Sequence, residues 1–186
     1  MEHVKRIKRE IVYEGTIVDF CQDTMELPDG TLQKWDLVHH RKGAAAVVAV
    51  DNDGKLVMVK QYRPALNRET LEIPAGARDS VTEDTKVTAL RELEEETGFK
   101  ANKCELFFKV KSTVAFCDEF VDIYLATDLV ETKQNLDPEE FIDVYHCDID
   151  ELVQKVFNCE IEDSKTVAAI MAYAYKVTNY KQSRDF

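Results

Sequence analysis

The segment RELEEETGF, Arg91 to Phe99, constrains this chain more than any other stretch of it. On a helical wheel at about 100° per residue, Val87, Leu90 and Leu93 fall together while Glu92, Glu95 and Glu96 gather on nearly the opposite side. The spacing predicts a helix that packs along one face and carries a carboxylate cluster on the other. Ser80 with Glu83 three residues later fits a capping box, and Gly98 fits a C-terminal stop, which brackets a helix of about 17 residues. Carboxylates at i, i+3 and i+4 repel one another by roughly a few tenths of a kcal/mol per pair on a bare helix. Two readings of that face stand open: a solvated surface, or a seat for a cation that reverses the sign of the repulsion. Magnesium takes oxygen ligands and keeps several waters, so a few carboxylates plus substrate phosphate oxygens would complete its shell.

The rest of the chain reads as strands around this helix. From Ile11 to His40 β-branched and apolar residues recur, and Pro28-Asp29-Gly30 marks a hairpin turn. The run Ala44 to Val50, the turn Asp51-Asn52-Asp53-Gly54 and the run Lys55 to Tyr62 predict a second hairpin with one heavily buried strand, followed by a short strand at Thr70 to Ile73. Further strands are expected at Glu105 to Lys111, Phe120 to Thr127 and Phe141 to His146, and helices at Asp148 to Phe157 and Ser164 to Val177. In 186 residues this order makes a single α+β or mixed-sheet domain.

Charge and cysteine usage narrow the function classes. A formal net charge of −12 argues against duplex nucleic acid as a partner, because phosphate backbones are held by clustered Lys and Arg. An anionic small-molecule substrate would then need a cation as intermediary. The five cysteines are scattered, without a Cys-x-x-Cys pair, and read as reduced thiols of a cytoplasmic protein. The longest apolar run, Ala44 to Val50, falls far short of the roughly 20 residues needed to cross a bilayer, and MEHVKRIKRE lacks the apolar core of a signal peptide. Membrane partners are therefore not expected.

Arg91 to Phe99 resembles the second half of the Nudix box at every fixed position, and Gly76 and Glu83 supply the first half. Seven residues separate Glu83 from Arg91, as in the family, but six rather than the family's five lie between Gly76 and Glu83. An extra residue inside the helix would rotate later side chains by about 100° and scatter the glutamates, so the loop after Gly76 is expected to absorb it. The resemblance implies that Glu92, Glu95, Glu96 and the backbone carbonyl of Ala75 hold magnesium or manganese, and that Arg91 holds a glutamate in place. The implied chemistry is in-line attack of water on phosphorus, with Glu95 and Arg91 in the catalytic set.

Upstream, DGTLQKWDLVHH, VKQYRPAL and LEIPAG resemble the ADP-ribose and ADP-sugar pyrophosphatase branch, so the likeness runs from about Ile11 to Thr127. By that resemblance Trp35, the sole tryptophan, stacks on adenine, Arg63 lies near phosphate or ribose, and Glu72 lines the site. The bland alternatives are a core aromatic, a surface ion pair and a solvent-facing strand end. STVAFCDE, Ser112 to Glu119, resembles the loop carrying a catalytic glutamate, which makes Glu119 the candidate general base or else an ordinary loop carboxylate. Where that branch has Ser-Pro-Gly, this chain has Thr113-Val114-Ala115. The four histidines form no metal-spaced set and receive no role.

The resemblance thus implies one α+β Nudix domain with mixed β-sheets sandwiched between helices, a β extension over about 1–42 and a catalytic core over about 43–186, dimerising through its N-terminal strands as the branch commonly does. It would hydrolyse ADP-ribose or a related ADP-sugar to AMP and a sugar phosphate. A nucleoside triphosphate substrate, or a non-catalytic module that binds a nucleotide and regulates a partner, are the alternatives.

Overall fold

The computed structural model describes residues 3–182. Three antiparallel strands come first, β1 (Lys5–Glu14), β2 (Val18–Glu26) and β3 (Leu32–His40), in the order β1-β2-β3. The turn at Pro28-Asp29-Gly30 falls between β2 and β3, where the Gly30 N–H donates to the Leu27 carbonyl. The inner face of β2 is polar, with Asp19 and Asp23 buried and engaged by Arg41 and Arg9. Ile7, Ile11, Phe20, Leu32 and Trp35 are exposed instead.

A seven-stranded mixed sheet forms the remainder, from β4 (Ala44–Val50), β5 (Leu56–Arg63), β6 (Arg68–Glu72), β7 (Ala75–Ala77), β8 (Phe99–Lys111), β9 (Phe120–Glu131) and β10 (Ile142–Cys147). Its spine runs β10-β5-β4-β9-β8, and β4 with β9 is the parallel pair. Helix α1 (Thr85–Thr97) covers one face; α2 (Ile149–Phe157) and α3 (Ser164–Gln182) cover the other. Strand β4 is buried on both faces, which its unbroken apolar run allows. Its Ala45, Val47 and Ala49 pack with Ala89 and Leu93 of α1, and Ala46, Val48 and Val50 pack with Leu152 of α2 and Ile170 of α3. Among the described residues no helix is long and apolar enough to cross a membrane.

Hairpin β4–β5 holds together for only two pairs, Ala49 with Val57 and Val50 with Leu56, and then splays. Into the gap runs the segment LEIPAGA: β6 pairs with β5, β7 pairs with β4, and Val47 N–H donates to the Pro74 carbonyl at 2.9 Å between them. Strand β7 was not anticipated; three residues without a β-branched side chain leave no sequence signal.

Three expectations for α1 need correction. The helix has 13 residues rather than about 17, and its N-cap is Asp84, whose side chain accepts from the Lys86 N–H at 2.8 Å. Ser80 does not cap it: its hydroxyl meets Thr82, while the Glu83 carboxylate accepts from the Asp79 N–H and the Thr88 hydroxyl. The extra residue after Gly76 does lie in the loop, and Gly98 does end the helix, with φ 73° and its N–H bonded to the Glu94 carbonyl. The packed face is also rotated from the expected one. Leu93 is fully buried, but Val87 is 56% exposed and Leu90 only partly covered, while Glu92 at 8% and Glu96 at 2% are buried. The buried face, Thr88, Ala89, Glu92, Leu93, Glu96 and Thr97, lies between the apolar and acidic sides of the wheel, because β4 takes Ala89 and Leu93 while β7 lies across Glu92 and Glu96.

Candidate active site

The carboxylates of α1 meet β7. Ala75 N–H donates to Glu96 Oε2 at 3.0 Å, and the Glu92 carboxylate lies over Gly76, where any Cβ would collide with it. A side chain at 76 would displace the Glu92 carboxylate from this seat. Arg91 ties the group together: Nη1 donates to Glu92 Oε1 at 2.8 Å and to Glu95 Oε2 at 2.9 Å, and Nη2 donates to the Ala77 carbonyl at 3.0 Å. The structure therefore brings Ala75, Arg91, Glu92, Glu95 and Glu96 into one constellation.

Burial dominates the electrostatics here. It pushes the Glu92 carboxyl up to about 7 against the opposing pull of Arg91. It raises Glu96 to about 8, with the charge of Glu92 adding to the shift and the Ala75 N–H opposing it. Glu140, from the coil between β9 and β10, adds negative charge at both. That coil is pinned to the end of α1, since Gln134 Nε2 donates to the Glu96 carbonyl at 2.7 Å and Asn135 N–H donates to the Glu95 carbonyl at 2.9 Å. Glu140 was missed in the sequence because nothing in the spacing of Asp137-Pro138-Glu139-Glu140 links it to a helix more than forty residues earlier.

These groups fit a divalent metal by chemistry: hard oxygen donors, buried, and short of positive charge. Among the described residues no three acidic, histidine or cysteine side chains already converge as a metal cluster. Their carboxylates are instead turned onto Arg91 and the Ala75 N–H, the positive partners within reach.

A cleft of about 530 Å³ opens beside β7, large enough for a small-molecule ligand. Arg63, Glu72, Ala75 and Glu119 line it, as do His40 and Lys165, which the sequence did not single out. Glu72 is no solvent-facing strand end. Arg63 Nε and Nη2 grip its two oxygens at 2.7 and 2.5 Å, Lys165 Nζ donates at 2.5 Å and the Thr70 hydroxyl at 2.6 Å. Burial alone would raise this carboxyl, but Arg63, Lys165 and Thr70 together hold it at about 2. Lys165 stands in the first turn of α3, which is locked to the inserted segment by the Ile73 N–H donating to the Thr166 hydroxyl.

Glu119 ends a loop stitched to β3. Val38 N–H donates to the Phe116 carbonyl at 2.7 Å, Asp118 N–H donates to the Val38 carbonyl at 3.2 Å, and the Asp118 carboxylate accepts from His40 N–H at 2.9 Å and touches His39 Nδ1 at 2.8 Å. The N-terminal sheet thus positions a wall of the cleft. Trp35 does not join it: the ring is 46% exposed on β3 and does not line the cleft of its own chain, which also removes the alternative of a core aromatic.

A glycine-seated glutamate pair, an arginine bracing the helix, and a sheet splayed between helices define the Nudix architecture, and residues 39–169 match the NUDIX domain family. The chain belongs to the Nudix family. It is 40% identical over 168 residues to an ADP-ribose pyrophosphatase of Bacillus subtilis (strain 168), covering 89% of this chain and 90% of that one. It is 42% identical over 168 residues to a methanol dehydrogenase activator of Bacillus methanolicus, with the same coverage. A crystal structure of an ADP compounds hydrolase superposes with a TM-score of 0.85 over 97% of both chains at 18% identity, a likeness of fold.

Proposed function

We propose that this protein is a metal-dependent pyrophosphohydrolase that cleaves ADP-ribose or a related ADP-sugar to AMP and a sugar phosphate. The observation that carries the reading is the buried Glu92–Glu96 pair seated on Ala75 and Gly76 at the rim of a cleft that also presents Arg63 and Lys165. Arg63 and Lys165 are both paired with Glu72, so a cleft in a chain of net charge −12 needs a cation at the glutamates to take a diphosphate. The similarity to ADP-ribose pyrophosphatases from two bacteria, 40% and 33% identical over most of the chain, supports the ADP-sugar class over triphosphates.

Ala75, through its carbonyl, Glu92, Glu95 and Glu96 would hold magnesium or manganese, which when bound polarises phosphoryl oxygens and makes a nucleophile of water. Arg91 fixes Glu92 and Glu95 for that task. Arg63, braced by Glu72, offers its guanidinium toward the substrate phosphates or ribose. Glu119 is the candidate general base. Glu140 adds negative charge at Glu92 and Glu96 and would strengthen the attraction for a cation there. The unpaired apolar side chains on the N-terminal strands support a homodimer through that sheet, and the free cysteines suit a reducing cytoplasm.

Turnover of ADP-ribose, other nucleoside diphosphate sugars, dinucleotides and triphosphates with magnesium, products resolved by mass, tests this. ADP-ribose should yield AMP and ribose 5-phosphate. Turnover of triphosphates with none of ADP-sugars would overturn the substrate class. No turnover of any nucleotide, with nucleotide binding intact, would favour the regulatory module, a role that the name of the Bacillus methanolicus relative keeps in view.

A further inference from the structure

We infer that His40 is a positioning residue for Glu119, holding its carboxylate in the cleft through the imidazole Nε2–H. This rests on the reading of Glu119 as general base. His40 ends β3 and lines the cleft with its side chain only 10% exposed. Its Nδ1 accepts the Gly43 N–H at 2.9 Å, so while that bond stands the ring proton belongs to Nε2. Nε2 faces Glu119 Oε1 at 3.7 Å. That separation is too long for a hydrogen bond in the free site, and catalytic hydrogen bonds commonly tighten when substrate closes the geometry.

The backbone around His40 is held on both sides. The His40 main-chain N–H donates to Asp118 Oδ1 at 2.9 Å, one residue before Glu119, and Gly43, with φ 70°, packs against Phe120, one residue after it. The strand that carries His40 is thereby tied to both flanks of the carboxylate that the ring faces. Among the described residues Glu119 makes no side-chain hydrogen bond, and the His40 imidazole is the one basic group within 4 Å of its carboxylate, so it is the group placed to fix that carboxylate when the 3.7 Å gap closes. A base that rotates spends less time aligned with the attacking water, and that loss appears in kcat.

The two ends of the imidazole can be tested separately. His40→Asn keeps an acceptor at the place of Nδ1 for the Gly43 N–H but has no donor toward Glu119; His40→Gln carries an amide N–H at the place of Nε2. With ADP-ribose and magnesium, His40→Asn should lose about ten- to a hundredfold in kcat at unchanged KM, on the scale of outer-shell orienting bonds. His40→Gln should recover most of it, and in a Glu119→Gln background His40→Asn should cost nothing further. Turnover of His40→Asn within twofold of wild type, or an equal loss in both His40 variants, would overturn the inference while leaving Glu119 as base if Glu119→Gln is slow. Normal turnover in Glu119→Gln would remove both.

Discussion

Glu96 is the residue where stability and function pull hardest against each other. Its carboxyl sits at about 8 and that of Glu92 at about 7 because both are buried, against an ordinary value of 4.5. A carboxyl raised on folding binds a proton that the unfolded chain has already released, so between those values the native state holds more protons and stability falls as pH rises. Below about 4.5 the two states are protonated alike and nothing is lost. The metal-free protein should therefore melt at progressively lower temperature from about pH 5 to pH 8, and magnesium should restore Tm most at the alkaline end, where it meets ionised carboxylates. Glu96→Gln should flatten that slope, keep or raise Tm at pH 8 and lower turnover by orders of magnitude. Thermal melts across pH with and without magnesium read both effects; a Tm that climbs from pH 5 to pH 8 without metal would contradict the buried, neutral pair.

Helix α1 shows how an element can be identified while its rotation is misjudged. The spacing of apolar and charged residues separates two faces of a helix, and it does not say how many neighbours cover each. Here β4 takes Ala89 and Leu93 on one side and β7 takes Glu92 and Glu96 on another, so Val87 is left facing solvent. Leu93→Ala should cost about 2–5 kcal/mol through a cavity beneath β4, whereas Val87→Ala should stay within about 0.5 kcal/mol. Chemical denaturation of the two variants decides between this orientation and the one centred on Val87 and Leu90; equal losses would mean that the helix is turned. The start of the helix carries the same lesson, since Ser80 and Glu83 have the spacing of a capping box but Asp84 holds the free N–H.

At the scale of the whole molecule, the N-terminal sheet does two things. Through β3 it clamps the loop carrying Glu119, and it leaves Trp35 and its apolar neighbours uncovered. Because the indole does not reach the cleft of its own chain, stacking on a base would require the second copy of a dimer built on this sheet. Sedimentation should find a dimer, and Trp35→Ala should raise KM for ADP-ribose about five- to a hundredfold with little change in kcat, the loss of a stack worth roughly 1–3 kcal/mol. Unchanged kinetics in that variant would take Trp35 out of the substrate site, whatever the oligomeric state.

What the sequence determined on its own was whatever depends on neighbours a few residues apart. The glutamates and Arg91 share one side of a helix because they are three and four residues apart, Gly98 ends that helix, and Ala44 to Val50 must be buried because it is apolar throughout. Most strands and the two C-terminal helices were legible for the same reason of period and length, while β7 was not, and β1 and β8 begin earlier, at Lys5 and Phe99, than the pattern placed them. The tertiary structure alone decided what comes together across long separations. His40 meets Glu119 because a loop pairs with β3, Glu140 approaches Glu92 because a coil is pinned to the end of α1, and Lys165 reaches Glu72 because α3 begins beside the inserted segment. It also decided that the acidic face is buried: hydrophobicity reports which side chains avoid water, and β7, which carries no such signal, is the strand that covers them.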